Sequence, residues 1–167
     1  MKPAPREPVI LIVQTDSPAR DDYPELAAVR ERGWRTWTLT ESAAHPPRQP
    51  EDDRQVSLRV RSVHAGAGLE RGCLAAFRAL APWVAIWFPE AGSCPSELEL
   101  DRAAAASEEA DVVLATNPQG KCHYLCLAAP VALLFQDLEW QSSPPVSALV
   151  ERTLEAGASV YSLPSPV

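Results

Sequence analysis

Residues 82–101 read PWVAIWFPEAGSCPSELELD, and this stretch decides the fold. The unbroken apolar run from Trp83 to Phe88 is typical of a strand that is buried on both faces, which predicts a central strand of a parallel sheet. Pro89 ends the strand, and Ser96 is a suitable N-cap for a helix with acidic first turns. In open α/β sheets ligands bind beyond the carboxyl ends of the strands, so we expect functional residues in this segment.

Further strand-like runs alternate with helical patterns along the chain. Strands are predicted at 9–13, 34–40, 56–63 (a half-exposed strand or an extended arm), 111–116, 131–135 and 159–163, and helices at 24–32, 69–80 and 146–156. The first and last of these helices end at Gly33 and Gly157. This alternation predicts a three-layer, doubly wound α/β fold with a mostly parallel, five-stranded sheet of the flavodoxin-like type. We expect one domain over residues 1–167, with an exposed Pro-rich loop at 41–55.

Length and charge limit the functions open to the chain. With 167 residues, 46% of them hydrophobic, it can bury one sizeable core. The formal net charge of −7 argues against a nucleic-acid-binding surface, because phosphate backbones require a basic face. No apolar run is long enough to cross a bilayer, and the first residues lack the apolar core of a secretory signal. We therefore predict a cytoplasmic protein that does not bind membranes, with four free cysteine thiols.

Two further groups of residues, a glycine-rich segment and a Cys/His cluster, do not predict a binding site. The glycine-rich segment 66–72 lies between a strand and a helix, but its spacing is not that of a dinucleotide fingerprint, so we interpret it as a flexible linker. Cys122, His123 and Cys126 offer three metal ligands, yet structural zinc sites normally draw on paired clusters. We therefore predict no bound metal and no cofactor.

The carboxylates after the central strand are the stronger candidates. Glu97, Glu99 and Asp101 occupy the first turns of the predicted helix, where the helix dipole alone favours acidic residues. Residues two apart on a helix face different sides, so only one of the two glutamates is expected to enter a cleft. A glutamate there could act as nucleophile or as electrostatic stabiliser of an oxocarbenium-like centre at a sugar C1′. Asp16 and Tyr23, in the loop after the first strand, could then act on the leaving base and the sugar hydroxyls.

The motifs AFRALAPWVAIWFPE at 76–90 and CPSELELD at 94–101, followed by the strand region 111–120, resemble the nucleoside 2-deoxyribosyltransferase-like family. The resemblance implies a flavodoxin-like fold, cleavage or exchange of the N-glycosidic bonds of nucleosides or nucleotides, and assembly into oligomers. By position, Glu99 matches the catalytic glutamate of that family, with Glu97 as the alternative register. A weaker similarity to TIR domains implies the same N-glycosidic chemistry.

The resemblance also implies a substrate site. A nucleoside or nucleotide would lie over the carboxyl ends of the first and central strands, with Glu99 or Glu97 at C1′ and Asp16 at the leaving base. Tyr23 and Asn117 would orient the base, and either Arg20 or a helix beginning near Ser17 could hold a 5′-phosphate. Gln14 and Glu90 are also expected to contact this substrate.

An alternative interpretation follows from the departures from the family pattern. Residues 14–18 contain no Gly-Pro turn, Ala81-Pro82 replaces the usual Ala-Asp pair, and Asp101 replaces the glycine after the glutamate. These differences favour a catalytically degenerate relative that acts as a binding or assembly partner. In either interpretation the expected partners are a small nucleoside or nucleotide and other protein chains, in a homo-oligomer or a hetero-complex.

Overall fold

Alternating strands and helices make up the described part of the chain. The computed structural model describes residues 7–13, 26–41, 55–60, 66–88, 94–135 and 146–163. The strands are β1 (Val9–Val13), β2 (Arg35–Glu41), β3 (Gln55–Val60), β4 (Val84–Trp87), β5 (Val112–Thr116), β6 (Cys122–Leu127) and β7 (Val160–Leu163). The helices are α1 (Ala27–Glu31), α2 (Gly66–Arg78), α3 (Glu97–Ala106) and α4 (Val146–Glu155). The predicted Pro-rich loop at 41–55 lies outside the described residues except for its first and last positions.

All described strands lie in one mixed sheet with the order β3-β2-β1-β4-β6-β5-β7. β6 runs antiparallel to both of its neighbours, β4 and β5. The remaining pairs, β1 with β2, β1 with β4, β2 with β3, and β5 with β7, are parallel. The predicted α/β class and the mostly parallel sheet are confirmed. The sheet has seven strands where five were expected, and its order differs from the 2-1-3-4-5 order of flavodoxin-like sheets.

Each face of the sheet is covered by its own helices. Val9, Leu11 and Val13 of β1 pack with α2 and α4 on one face. Ile10 and Ile12 pack with α1 and α3 on the other. Every residue of β1 and β4 is buried, as the apolar runs predict. Strands that are buried on both sides need an apolar layer above and below them, and the predicted three-layer arrangement is confirmed. Within the described residues, no helix combines the length and the apolar character needed to cross a bilayer.

Two crossover connections, one from β1 to β2 and one from β4 to β5, have opposite handedness. α1 joins β1 to β2 and α3 joins β4 to β5, and both helices pack on the same face. The two connections nevertheless lead towards opposite ends of the sheet. Parallel crossovers that use one face but run in opposite directions have opposite hands. Because right-handed crossovers are strongly preferred, sequence reasoning would place α3 on the other face from α1.

Three local predictions were wrong. Residues 131–135 contain a 3₁₀ helix, Ala132–Phe135, and this segment packs against α2 and α4, so its burial requires no strand pairing. The strand that the sequence did not predict is β6, all six residues of which are buried although its apolar pattern is interrupted by His123 and two cysteines. The segment 66–72 is not a linker, because α2 begins at Gly66.

Polar contacts stabilise the amino edge of the sheet, where the parallel strands begin. Arg35, the first residue of β2, is only 2% exposed. Its guanidinium donates to the Glu7 carbonyl through Nε (3.1 Å) and Nη2 (2.7 Å), and to the Ala79 carbonyl through Nη1 (2.8 Å). Ala79 directly follows α2, so the cation also meets the negative end of that helix. Farther along this edge, Asp111 Oδ2 accepts bonds from the Ser159 backbone N–H (2.9 Å) and hydroxyl (3.1 Å), which ties the start of β7 to the start of β5.

Three helices, α1, α2 and α4, end in the same hydrogen-bond pattern. A residue with positive φ donates its N–H to the carbonyl three residues back, and the next residue donates to the carbonyl five residues back. Gly33 (φ +87°) and Gly157 (φ +72°) hold this position after α1 and α4, which confirms both predicted terminators. Leu80 holds it after α2 with φ 66°, although the left-handed conformation costs a residue with a Cβ atom about 1–2 kcal/mol.

Replacement of Gly157 by alanine should lower the free energy of unfolding by about 1 kcal/mol. An added Cβ at this position has no other atom within 4 Å, so the loss would come from φ alone. Urea denaturation measures it. Gly157→Asn is the matched control and should lose less, because asparagine tolerates the left-handed region better than alanine does. Equal losses for the two variants would contradict this explanation.

Candidate functional site

The carboxyl ends of β1 and β4 form the most favourable place for a ligand. The two strands are neighbours, and the chain leaves β1 towards β2 on one side but leaves β4 towards β5 on the other. Where the strand order reverses in this way, open α/β sheets commonly bind ligands beyond the carboxyl ends of the strands. Val13 ends β1 and Phe88 directly follows β4, and both side chains are buried.

The turn between β5 and β6 lies at the same edge of the sheet, beside the end of β4. Because β6 is antiparallel, its first residues lie at the carboxyl edge of β4: Tyr124 pairs with Trp87, and the Phe88 N–H donates to the His123 carbonyl at 3.1 Å. The β5–β6 pairing also shifts register at the end of β5. Such irregularities commonly redirect side chains next to binding sites. His123, which is 6% exposed, lies next to the end of the central strand β4.

Asn117 holds this turn in a defined shape. Its Oδ1 accepts the backbone N–H groups of Gln119 (3.0 Å) and Lys121 (2.9 Å), and its own N–H donates to the Lys121 carbonyl (2.9 Å). Gly120 supplies the positive φ (+79°) that the turn requires. The N–H of Val146, the first residue of α4, donates to the Gly120 carbonyl at 3.3 Å. The side chain predicted to orient a substrate base is therefore part of the turn, and its contact with a substrate stays a prediction.

Glu99 forms hydrogen bonds with Ser96 at the N-terminus of α3. Ser96 Oγ accepts the Glu99 N–H (3.2 Å), and Glu99 Oε2 accepts the Ser96 N–H (2.7 Å), which completes a capping box and confirms Ser96 as the N-cap. The Glu99 carboxylate also lies near the Tyr124 phenol. Burial, and then this carboxylate, raise the pKa of Tyr124 well above its usual range, while Arg102 acts in the opposite direction.

Glu97 and Asp101 contact α1. Arg32, the C-cap of α1, places Nη2 2.8 Å from Asp101 Oδ1 and Nη1 3.8 Å from Glu97 Oε1. The bond to Asp101 raises the pKa of Arg32. The guanidinium also lies 4.5 Å from the centre of the Trp34 ring, which packs edge to face on Trp83. The two glutamates that the sequence placed at a sugar C1′ are thus used for ion pairing and helix capping.

The remaining predicted site residues lie outside the described ranges. Gln14, Asp16, Arg20 and Tyr23 follow β1 in the sequence, and Glu90 follows β4. Asp16 and Glu90 each come three residues after the end of their strand, at Val13 and Trp87 respectively. Because β1 and β4 are adjacent and parallel, the segments that contain these two carboxylates begin at the same edge of the sheet. Their contacts with a substrate stay predictions.

The cysteines and His123 do not form a metal site with one another. Cys122 and Cys126 are buried in the two opposite faces of the core. Nowhere in the described ranges do three or more His, Cys, Asp or Glu side chains gather so that they could hold a metal ion. Burial raises the pKa of the Cys73 and Cys122 thiols far above the usual range, and that of Cys126 to about 12. Cys73, Cys94, Cys122 and Cys126 are free thiols, as predicted.

Lys121 was not singled out from the sequence, and His123 was considered only as a possible metal ligand. Both lie at the carboxyl edge because β6 turns back beside β4, and β6 was not predicted. A signal was present: the segment 117–121, NPQGK, separates two apolar runs and contains the residue types of a hairpin turn. It was interpreted only as the end of the preceding strand.

No known sequence family matches this chain, and no curated protein matches it. Solved structures do match its fold. A proposed nucleotide-diphospho-sugar transferase from Desulfovibrio desulfuricans G20 has a TM-score of 0.64 and 13% sequence identity, over 95% of this chain and 80% of the other. Rv0371C from Mycobacterium tuberculosis H37Rv, in complex with manganese, has a TM-score of 0.58 and 14% identity, over 96% and 88%. The inositol-1-phosphate CTP transferase of T. maritima has a TM-score of 0.47 and 9% identity, over 98% and 86%.

The first two of these structures correct the family assignment made from the motifs at 76–90 and 94–101. The fold of this chain is shared with a proposed nucleotide-diphospho-sugar transferase over nearly its whole length, and not with a deoxyribosyltransferase or a TIR domain. The motifs describe a helix, a buried strand and a second helix, an arrangement common to parallel α/β folds. The predicted N-glycosidic reaction at C1′, together with the alternative of a degenerate deoxyribosyltransferase-like or TIR-like protein, is therefore wrong.

Cys94 should be the one cysteine that alkylates readily in the folded protein. It is half-buried, whereas the other three cysteines are buried. At pH 8 the raised pKa of a buried thiol, together with its lack of access, should slow the reaction at least about a hundredfold. Iodoacetamide labelling followed by peptide mass spectrometry measures this selectivity, and denatured protein, labelled at all four sites, is the control. Comparable labelling of Cys122 and Cys94 in the folded protein would contradict the burial described here.

Proposed function

We propose that this chain is a transferase that binds a nucleotide or a nucleotide-linked sugar over the carboxyl ends of β1 and β4. The observation that supports this most is the fold shared with a proposed nucleotide-diphospho-sugar transferase over 95% of this chain. The reversal of strand order between β1 and β4 adds an independent reason, because ligands of α/β sheets commonly bind beyond the strand ends at such a reversal. The net charge of −7 fits a small anionic ligand that is bound by local cations.

The proposed chemistry differs from attack by a glutamate on a sugar. In the transfer of either a sugar or a nucleotidyl group from a nucleotide donor, a bond to a phosphate oxygen breaks and that oxygen keeps the electron pair. Groups that neutralise the resulting negative charge lower the barrier. Glu97 and Glu99 are anions that already pair with Arg32 and the Ser96 N–H, so they are poorly suited to this task. The helpful groups are cations and N–H donors at the same edge.

A divalent cation would supply part of this neutralisation. Rv0371C, which shares the fold, is a manganese complex. The described residues contain no cluster of three or more His, Cys, Asp or Glu side chains that could hold a metal ion, and the segments that follow β1 and β4 contain carboxylates close to the strand ends. Asp16 and Glu90 are carboxylates, the donor type that Mg²⁺ and Mn²⁺ prefer. We propose that these two residues bind the cation together with the phosphates of the substrate.

Isothermal titration calorimetry of the full chain with nucleoside diphosphates and sugar nucleotides, with and without Mn²⁺, tests this function. At least one of these ligands should bind with a dissociation constant on the order of micromolar to millimolar, and Mn²⁺ should strengthen binding. Asp16→Asn and Glu90→Gln should each weaken the Mn²⁺-dependent binding about tenfold, because each removes a charged ligand. Glu108→Gln, an exposed acid beyond the end of α3, is the matched control and should bind like the parent chain.

Turnover is measured separately by release of the nucleoside diphosphate or of pyrophosphate from the ligand that binds. Binding without any turnover in the presence of sugar acceptors and sugar phosphates would contradict the transferase assignment. The absence of binding to every nucleotide, with and without Mn²⁺, would contradict the proposal as a whole. Assembly with other chains and location in the cytoplasm stay predictions from the sequence.

A further inference from the structure

We propose that Lys121, in the turn between β5 and β6, is the residue that binds a phosphate group of the ligand. This inference rests on the proposed nucleotide-binding function and assigns a residue to it that the sequence did not single out.

The position follows from the antiparallel course of β6. Tyr124 of β6 pairs with Trp87 of β4, and Lys121 lies three residues before Tyr124. The register shift between β5 and β6 takes up one of these residues, so at about 3.3 Å per residue Lys121 lies about 7 Å beyond the end of β4. Strands are spaced about 4.8 Å apart, so β1 is two spacings, or about 10 Å, from β6. The flexible stem of a lysine at this position can therefore bring its ammonium towards the carboxyl ends of β4 and β1.

Hydrogen bonds hold the backbone of the turn at Lys121. Asn117 Oδ1 accepts the Lys121 N–H at 2.9 Å, and the Asn117 N–H donates to the Lys121 carbonyl at 2.9 Å. On the adjoining peptide, the Gly120 carbonyl accepts the first N–H of α4, from Val146, at 3.3 Å. Because the backbone is held on both sides, little conformational entropy is lost there when a ligand binds, and only the side chain has to be ordered.

The charge of Lys121 is available to a ligand. The residue is exposed, and across the described ranges the ion pairs join Arg32 to Glu97 and Asp101, and Arg152 to Glu155, with none at Lys121. The lysine therefore does not have to give up a carboxylate before it can bind an anion. A lysine ammonium is a compact point charge that pairs well with phosphate.

The chain suits a direct test because its sequence contains two lysines, Lys2 and Lys121. Acetylation by an N-hydroxysuccinimide ester, followed by peptide mass spectrometry, reports each lysine separately. A saturating nucleoside diphosphate should slow the acetylation of Lys121 at least about fivefold and leave that of Lys2 unchanged, whereas the plain nucleoside should protect neither. Equal acetylation of Lys121 with and without a nucleotide that calorimetry shows to be bound would overturn the proposal.

Affinity measurements separate this inference from the proposed function. Lys121→Gln should weaken the binding of the diphosphate about tenfold and that of the nucleoside hardly at all, since only the phosphate contact is lost. Arg78→Gln removes the same charge in the last turn of α2, before Ala79 and the amino edge of the sheet, and should bind like the parent chain. Lys121→Arg should retain most of the affinity. If the parent chain binds no nucleotide, the proposed function fails; if it binds and Lys121→Gln binds equally well, only the assignment of Lys121 fails.

Discussion

The burial of β1 and β4 on both faces is the constraint on which the rest of the structure depends. All nine residues of these two strands are buried, and full burial of one branched aliphatic side chain stabilises the fold by roughly 1.5–3 kcal/mol. Such strands leave no room for polar side chains within the sheet. Several of the described polar groups, among them Arg35, Asp111 and Asn117, instead lie at the ends of the strands.

The two edges use their polar groups differently. At the amino edge, Arg35 binds two backbone carbonyls and Asp111 binds Ser159, so these groups hold segments of the chain together. At the carboxyl edge, Asn117 and the Ser96–Glu99 pair shape a turn and a helix start, while Lys121 remains exposed above the sheet. Lys121 is thus a polar group left for a ligand at the carboxyl edge, the edge at which ligands bind in open α/β sheets.

The sequence predicted the parts of this fold that depend on local patterns. The apolar runs of β1 and β4, the glycine ends of α1 and α4 and the Ser96 cap are each determined by residues close to one another in the chain, and all were confirmed. β6 was not predicted, because His123 and two cysteines interrupt its apolar pattern and its burial depends on the strands on either side. The 3₁₀ helix within 131–135 was mistaken for a strand, because a short apolar run shows burial but not the partner that provides it.

The site was harder to predict than the fold for the same reason. In the sequence, acidic residues at 97 and 99 are compatible with a catalytic role and equally with the preference for acids in the first turn of a helix. The contacts with Ser96 and Arg32 in the structure distinguish these two roles. The family resemblance was misleading because it rested on a helix–strand–helix segment that many parallel α/β proteins share. The strand order, which separates these folds, depends on pairings between distant segments and on the unexpected side of the sheet taken by α3.

Amide hydrogen exchange of the full chain, with and without a saturating nucleoside diphosphate, tests the central claim most directly, because it locates a ligand without assuming which side chains bind it. The account predicts slower exchange in the segments that follow β1 and β4 and in the turn at 117–121, with no change around Arg35 and Ser159 at the amino edge. Slower exchange confined to the amino edge, or unchanged exchange at the carboxyl edge while the nucleotide is bound, would contradict it.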